Sequence, residues 1–306
     1  MTNSVTHKPD LVPLQYDVFE GADFLGESPI WLPERGVVVW VDIRLGLLHT
    51  LDPSTGERNA EEFPVPLGFV LPRRDGGLVV GVGMSVVLID ADGSRRTLVE
   101  IEDATPGNRF NDARCDAQGR LWAGSVSVPA VIGDPRIEGS CALYRIEADG
   151  RSEVVLEGLT VSNGLGWLDD GRTLLHTDTH TQRITRYTVD IELGRLSDAQ
   201  LWVEIDRKDG IPDGMTIDSE DGVWVALFGG GELRRYSPSG EVLARYEVPV
   251  SGVTCPTFGG HDLRDLYATS ATLFLSPEEI ERQKVAGSLF RARPGVVGRP
   301  ELSFAG

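Results

Sequence analysis

One unit, a tight turn followed by an apolar strand, recurs six times along this chain. The copies read PERGVVVWVD (33–42), RRDGGLVVGV (73–82), DAQGRLWAGS (116–125), LDDGRTLLHTD (168–178), DSEDGVWVAL (218–227) and GHDLRDLYATS (260–270). Five carry a turn glycine, Gly36, Gly76, Gly119, Gly171 and Gly222, and Arg264 sits near the equivalent place in the sixth. The steps between these positions are 40, 43, 52, 51 and 42 residues. Each copy is followed by a second strand that ends in a polar turn, such as LHTLDPSTGE, LYRIEADGRSE or LRRYSPSGEV. Two hairpins per repeat make four strands. A four-stranded sheet repeated every 40–50 residues cannot bury both faces alone, so copies stack around an axis. The expected fold is all-β: a six-bladed β-propeller with four-stranded antiparallel blades. A sandwich does not account for the repeat.

The same pattern sets the domain limits. A single propeller is expected over residues 14–306, with residues 1–13 as a flexible tail. A closed ring leaves no open sheet edge, so Tyr16–Glu20 is expected to pair with the C-terminal strands of the last blade. SPEEIERQK (276–284) reads as a helical turn inserted in that blade. The 36 glycines and 18 prolines are spread along the chain, as many short turns require.

In a propeller the first strand of each blade is innermost, and all six inner strands run parallel along the channel. Residues that open them converge at one face. Counting back eight or nine residues from each turn glycine reaches Glu27, Gly68, Asn111, Asn163 and Asp213; the sixth blade offers Pro256 or Thr257 near the equivalent place. Four of the six positions carry a carboxylate or carboxamide within apolar surroundings: GESPIW, NRFNDA, VSNGLGW and IPDGMTI. One such residue alone reads as a turn cap. Four at matching offsets point to a cation. All-oxygen donors suit Ca²⁺, Mg²⁺ or Mn²⁺ rather than a structural zinc site. Arg109 stands two residues before Asn111, where it can either face a ligand or pair with Asp112 or another acid. The ends of the second strands, including Asp42, Ser125–Ser127, Asp178–His180, Phe228 and Thr269–Ser270, are expected to form a polar rim with one aromatic.

Composition excludes several other functions. With 29 Lys and Arg against 47 Asp and Glu the formal charge is −18, which repels phosphate backbones and anionic membrane surfaces. No nucleic-acid or membrane partner is expected. The opening MTNSVTHKPD has no apolar core of a signal peptide. No stretch approaches the roughly 18 apolar residues of a membrane span. Cys115, Cys141 and Cys255 are odd in number and lack zinc or redox spacing, so buried thiols in a reducing compartment, the cytoplasm, are expected. There is no HExxH and no GxSxG, against a His-based metal site and a serine hydrolase.

The segments GESPIWLPERGVVVWVDI, NRFNDARCDAQGRLWAGS, SNGLGWLDDGRTLLHTDT, PDGMTIDSEDGVWVAL and CPTFGGHDLRDLYATSA, in this order, resemble the senescence-marker-protein (regucalcin)/gluconolactonase/LRE-like family over residues 16–295. The resemblance implies a six-bladed propeller with one divalent metal ion, Ca²⁺ first, with Zn²⁺, Mg²⁺ or Mn²⁺ as alternatives. It implies lactonase activity on sugar lactones, opening the ring to the hydroxy acid. Carried over residue by residue, it makes Glu27, Asn163 and Asp213 metal ligands, Asp213 also the catalytic base, and Arg109 and Asn111 substrate-binding residues. Some members of that family have acidic residues where this chain has Val128 and Pro129, which leaves room for a less polar lactone. The expected partner is a small-molecule lactone, and the expected assembly a monomer or weak homo-oligomer. Two rival readings use the same site: a phosphotriesterase-like hydrolase and a non-enzymatic calcium-binding propeller.

Overall fold

The computed structural model describes residues 9–101, 107–128 and 138–306. Six four-stranded antiparallel blades surround a central channel, as the repeat predicts. Their inner strands are Gly26–Leu32, Leu67–Pro72, Asn108–Cys115, Ser162–Leu168, Ile211–Ile217 and Val253–Gly259. These six are almost entirely buried, while outer strands such as Arg58–Glu62 and Ser152–Leu159 are largely exposed. That gradient follows from the stacking. Only the outermost strand of each blade meets water along its edge.

Turn chemistry locks the inner hairpin within a blade. In DAQGRLW the Asp116 carboxylate accepts from the Gln118 and Arg120 backbone N–H groups and from Trp122 Nε1 at 2.8 Å. DSEDGVW repeats the arrangement, with Asp218 accepting from Glu220, Gly222 and Trp224 Nε1. Trp122 and Trp224 are fully buried. Each indole contributes a large apolar area while its one polar atom is satisfied.

The ring closes as expected. Asp17–Phe19 pairs antiparallel with Leu289–Ala292 and is the outermost strand of blade six. Tyr16 packs edge-on against Phe290, and Asp17 pairs with Arg291 at 2.6 Å. The short helix Pro277–Arg282 lies in the last blade, begun by a capping box between Ser276 and Glu279. The expected tail boundary is corrected. Leu11–Pro13 is a strand that pairs in parallel with Val242–Glu247 and adds a fifth strand to blade five. Its shortness, three residues with no alternation, hid it in the sequence. Residues 1–8 of the expected tail lie outside the described residues.

The C-terminal segment crosses the end of the channel where the inner strands finish. Gly298 donates to Leu263 in blade six, Arg299 to the Trp167 carbonyl in blade four, and Phe304 to Pro72 in blade two. Phe304 is fully buried in the main apolar cluster. All three cysteines are buried and none forms a disulfide, as expected. Among the described residues no helix is long and apolar enough to cross a membrane.

Candidate metal and substrate site at the channel mouth

Every inner strand carries a β-bulge near its start. In blade one, Glu27 and Ile30 pair with Val41 and Val39, so three steps on one strand match two on the other. The same shift falls between Leu67 and Val70, Phe110 and Ala113, Ser162 and Leu165, Pro212 and Met215, and Val253 and Pro256. A bulge places two residues opposite one and re-aims a side chain out of the strand's alternation. The first bulged residues are therefore Ser28, Gly68, Asn111, Asn163, Asp213 and Thr254.

Three of these six, Asn111, Asn163 and Asp213, line a cavity of about 360 Å³ at the channel mouth. Glu27 and Arg109 line the same cavity. All five expected site residues thus come together. Glu27 reaches it from one position before the bulge, which the count from the turn glycine cannot resolve because turn lengths differ. Ser28 takes the bulge itself, with a φ of 51°. Its N–H donates to Glu27 Oε2 at 3.0 Å, and its hydroxyl is tied to both backbone groups of Val70. In blade six the equivalent residue is Thr254, not Pro256 or Thr257, and its hydroxyl donates to the Gly26 carbonyl at 2.6 Å. Blade two offers no donor. A Cβ on Gly68 would stand 2.5 Å from the Phe110 carbonyl oxygen.

Close strand approach joins blades four and five. A Cβ on Gly164 would lie 2.7 Å from the Asp213 carbonyl oxygen, so only glycine permits this spacing. Asn163 Nδ2 accordingly reaches Asp213 Oδ1 at 2.5 Å and Thr179 Oγ1 at 3.1 Å. This spends the amide's donors and leaves Asn163 Oδ1 buried without a partner. A buried acceptor of this kind is costly unless something supplies positive charge or a proton.

The carboxylates carry the same strain. Burial, with Asp213 and Asp112 nearby, pushes Glu27 well above the usual carboxylate range. Burial and Asp112 push Asp213 up likewise. Two carboxylates facing an orphaned amide oxygen form an all-oxygen donor set that a divalent cation would satisfy. The residues present therefore fit such an ion. No cluster of three or more His, Cys, Asp or Glu suited to a metal occurs among the described residues, so the amide oxygen is essential to the set.

Arg109 does not pair with Asp112. One guanidinium nitrogen donates to Asn111 Oδ1 at 2.7 Å and to the Phe110 carbonyl at 2.9 Å, while Nε is buried without a partner. Asn111 Nδ2 in turn donates to the Ser162 carbonyl. Burial lowers the Arg109 pKa to about 10, opposed by Glu27 and Asp213, and leaves a cation facing the cavity. The partner of Asp112 is Arg114, at 3.5 Å. Burial opposes the Arg114 charge, but Asp112 and Glu301 outweigh it and raise its pKa. Arg114 thus lies between Asp112, beside the mouth, and Glu301 on the crossing C-terminal segment.

Of the expected rim, Val126, Thr179, His180 and Phe228 line the cavity. Asp42 is fully buried and accepts from the backbone N–H groups of Phe24, Arg44 and Leu45. Ser125 and Thr269 are likewise spent on neighbouring strands. The sequence reading missed Leu25, Arg207, Leu273 and Phe274, which also line it. Leu25 and Arg207 lie in connections between blades, and Leu273 and Phe274 between the second and third strands of blade six, all outside the repeated unit. Val128 is described; Pro129 lies outside the described residues.

Known proteins match this chain along nearly its whole length. The chain is 37% identical over 284 residues to a 6-deoxy-6-sulfogluconolactonase from Pseudomonas putida, covering 92% of this chain and 95% of the relative. It is 34% identical over 282 residues to a pentonolactonase from Haloferax volcanii, covering 91% and 94%. The crystal structure of a calcium-binding protein, regucalcin, from Agrobacterium tumefaciens superposes with a TM-score of 0.90 at 28% identity, covering 97% of this chain and 99% of that one. The family model described as the SMP-30/gluconolactonase/LRE-like region matches residues 25–272, the span that holds five blades and the inner hairpin of the sixth. By that match, and by relatives above 30% identity over nine-tenths of its length, the chain belongs to the SMP-30/gluconolactonase/LRE-like family.

Proposed function

We propose that this protein is a divalent-cation-dependent lactonase that opens a small sugar lactone to its hydroxy acid. The observation that carries the reading is the convergence of Glu27, Asp213 and the unpartnered Asn163 Oδ1 in one cavity with a buried guanidinium. Two relatives named as lactonases supply the reaction class, and the neighbour described as calcium-binding favours Ca²⁺. Glu27, Asn163 and Asp213 would hold the cation, which when bound supplies Lewis-acid polarisation of the ester carbonyl.

The chain's own residues do the rest. Arg109 and Asn111 bind oxygens of the lactone, and the tie between them holds the guanidinium in one orientation. Positive charge fixed in a water-poor pocket favours the transition state, where negative charge grows on the carbonyl oxygen. Asp213 orients the attacking water and takes its proton. The new carbon–oxygen bond forms at the carbonyl carbon, the bond to the ring oxygen breaks, and the proton returns to that oxygen. A base serves best when its pKa lies near the working pH.

The test is a panel of aldonolactones assayed by proton release, before and after chelation, with Ca²⁺, Mg²⁺, Mn²⁺ and Zn²⁺ added back singly. Turnover should vanish with chelator and return with at least one ion. Full turnover of the metal-free protein would overturn the metal dependence. Calcium binding with no lactone opened under any ion would favour the non-enzymatic reading.

A further inference from the structure

The cavity lining is mixed. Blades three and four contribute Arg109, Asn111, Asn163 and Thr179 together with Val126 and Val161. Blades five and one contribute Asp213 and Glu27, and blades five, six and one add an apolar arc: Phe228 closes a strand of blade five, Leu273 and Phe274 follow the second strand of blade six, and Leu25 precedes the first strand of blade one. A fully hydroxylated ligand would face hydroxyls against this arc, and an unpaired buried hydroxyl is unfavourable.

Phe274 is the residue that most needs an explanation. It is 64% exposed, the largest value among the exposed large hydrophobic residues. Its φ of 66° lies in the left-handed region, which a bulky side chain seldom adopts. Backbone strain disfavours the native state, and so exposed a ring recovers little burial in return. Its neighbours are nevertheless fixed. Leu273 N–H donates to the Phe24 carbonyl at 3.0 Å, and Thr272 N–H to the Asp23 carbonyl at 3.2 Å. The Phe274 ring meets Phe228 edge-to-face, with centroids 6.3 Å apart. A strained residue held by surrounding bonds at the lip of a pocket is the pattern by which strain serves binding.

We infer that Phe274, seated on Phe228, selects a lactone whose exocyclic end is apolar, a terminal methyl or alkyl group where a common sugar lactone has a hydroxymethyl. This rests on the lactonase reading and narrows its substrate. The ring hydroxyls and carbonyl face blades three and four, and the deoxygenated end covers the Phe228–Phe274 pair. Selection of one apolar group by such a pocket is worth about tenfold or more.

The experiment compares a 6-deoxy aldonolactone with its 6-hydroxy parent, identical in ring and stereochemistry, on the metal-loaded protein. The deoxy lactone should show a kcat/KM about tenfold higher. Phe274→Ala should bring the ratio to within about twofold by lowering the deoxy value alone, and Phe274→Leu should keep most of the preference. Because Phe274 is exposed, neither variant threatens the fold. Preference for the hydroxy lactone, or an equal loss on both substrates in Phe274→Ala, would overturn the inference. If neither lactone is opened, the lactonase reading fails by itself, and calorimetric binding of the two matching lactams decides the inference. Tighter binding of the deoxy lactam that depends on Phe274 sustains it; equal binding overturns it.

Discussion

Replacing Asp213 by Asn should make the metal-free protein more stable while removing its activity. The amide has nearly the volume of the carboxylate, and its oxygen can accept from Asn163 Nδ2, so the contact at 2.5 Å survives. What disappears is one buried negative charge beside Glu27 and Asp112. Burial and Asp112 raise the Asp213 pKa in the folded state. The unfolded chain therefore releases this proton at lower pH than the folded one does. The stability associated with the protonated group is complete below the unfolded value of about 3.9 and is lost as pH rises through the folded pKa. The variant has no such loss. Removing an uncompensated buried charge should return at least about 1 kcal/mol at pH 8. For a chain of this size that is a rise in Tm of about 2 °C or more. Near pH 4 the two proteins should melt together. Differential scanning fluorimetry with excess chelator between pH 4 and 8 measures the gap. Loss of the base should lower kcat by about 10²–10⁴-fold at saturating metal. A variant that melts below the parent at pH 8 without metal would refute the electrostatic argument. Near-normal turnover would refute the assignment of Asp213 as base.

Two further perturbations probe the scaffold. Deleting residues 1–20 removes the strands that edge blades five and six together with the Tyr16–Phe290 and Asp17–Arg291 contacts, and should lower Tm by several degrees; an unchanged melt would deny that strand a role in closure. Arg114→Met leaves Asp112 and Glu301 buried without their cation, a loss of about 3–5 kcal/mol, and adding Asp112→Asn and Glu301→Gln should recover most of it in a urea melt.

The fold was legible because propeller blades repeat, and a repeat averages over local ambiguity. Asn111, Asn163 and Asp213 were legible for the same reason, since each occupies the same place in its blade. The bulge was not. It is a difference in register between two strands, and a count along one strand cannot show it. Glu27 was reached only because the count admitted nine residues as well as eight; the bulged residue of blade one, Ser28, stands eight before Gly36. Thr254 was missed because the sixth turn has no glycine at the counted place, and Thr254 stands ten residues before Arg264. Asp42, Ser125 and Thr269 looked like rim residues, but their side chains satisfy buried backbone groups, a demand that depends on neighbouring strands. Leu25, Arg207, Leu273 and Phe274 lie in non-repeating connections, and only folding brings those together.

The crossing of the C-terminal segment beneath the ring makes the channel a cup rather than a tube. With Glu301 against Arg114 and Phe304 locked between blades, the far end offers no passage. Whatever enters at the mouth must leave by the mouth. Under the proposed reaction the hydroxy acid departs through the opening that the next lactone needs. Each molecule of product delays its successor, and a crowded mouth slows its own clearance. Inhibition by product should therefore be competitive, and raising substrate should overcome it. A cavity with one door imposes that order of traffic whatever the speed of the chemistry inside.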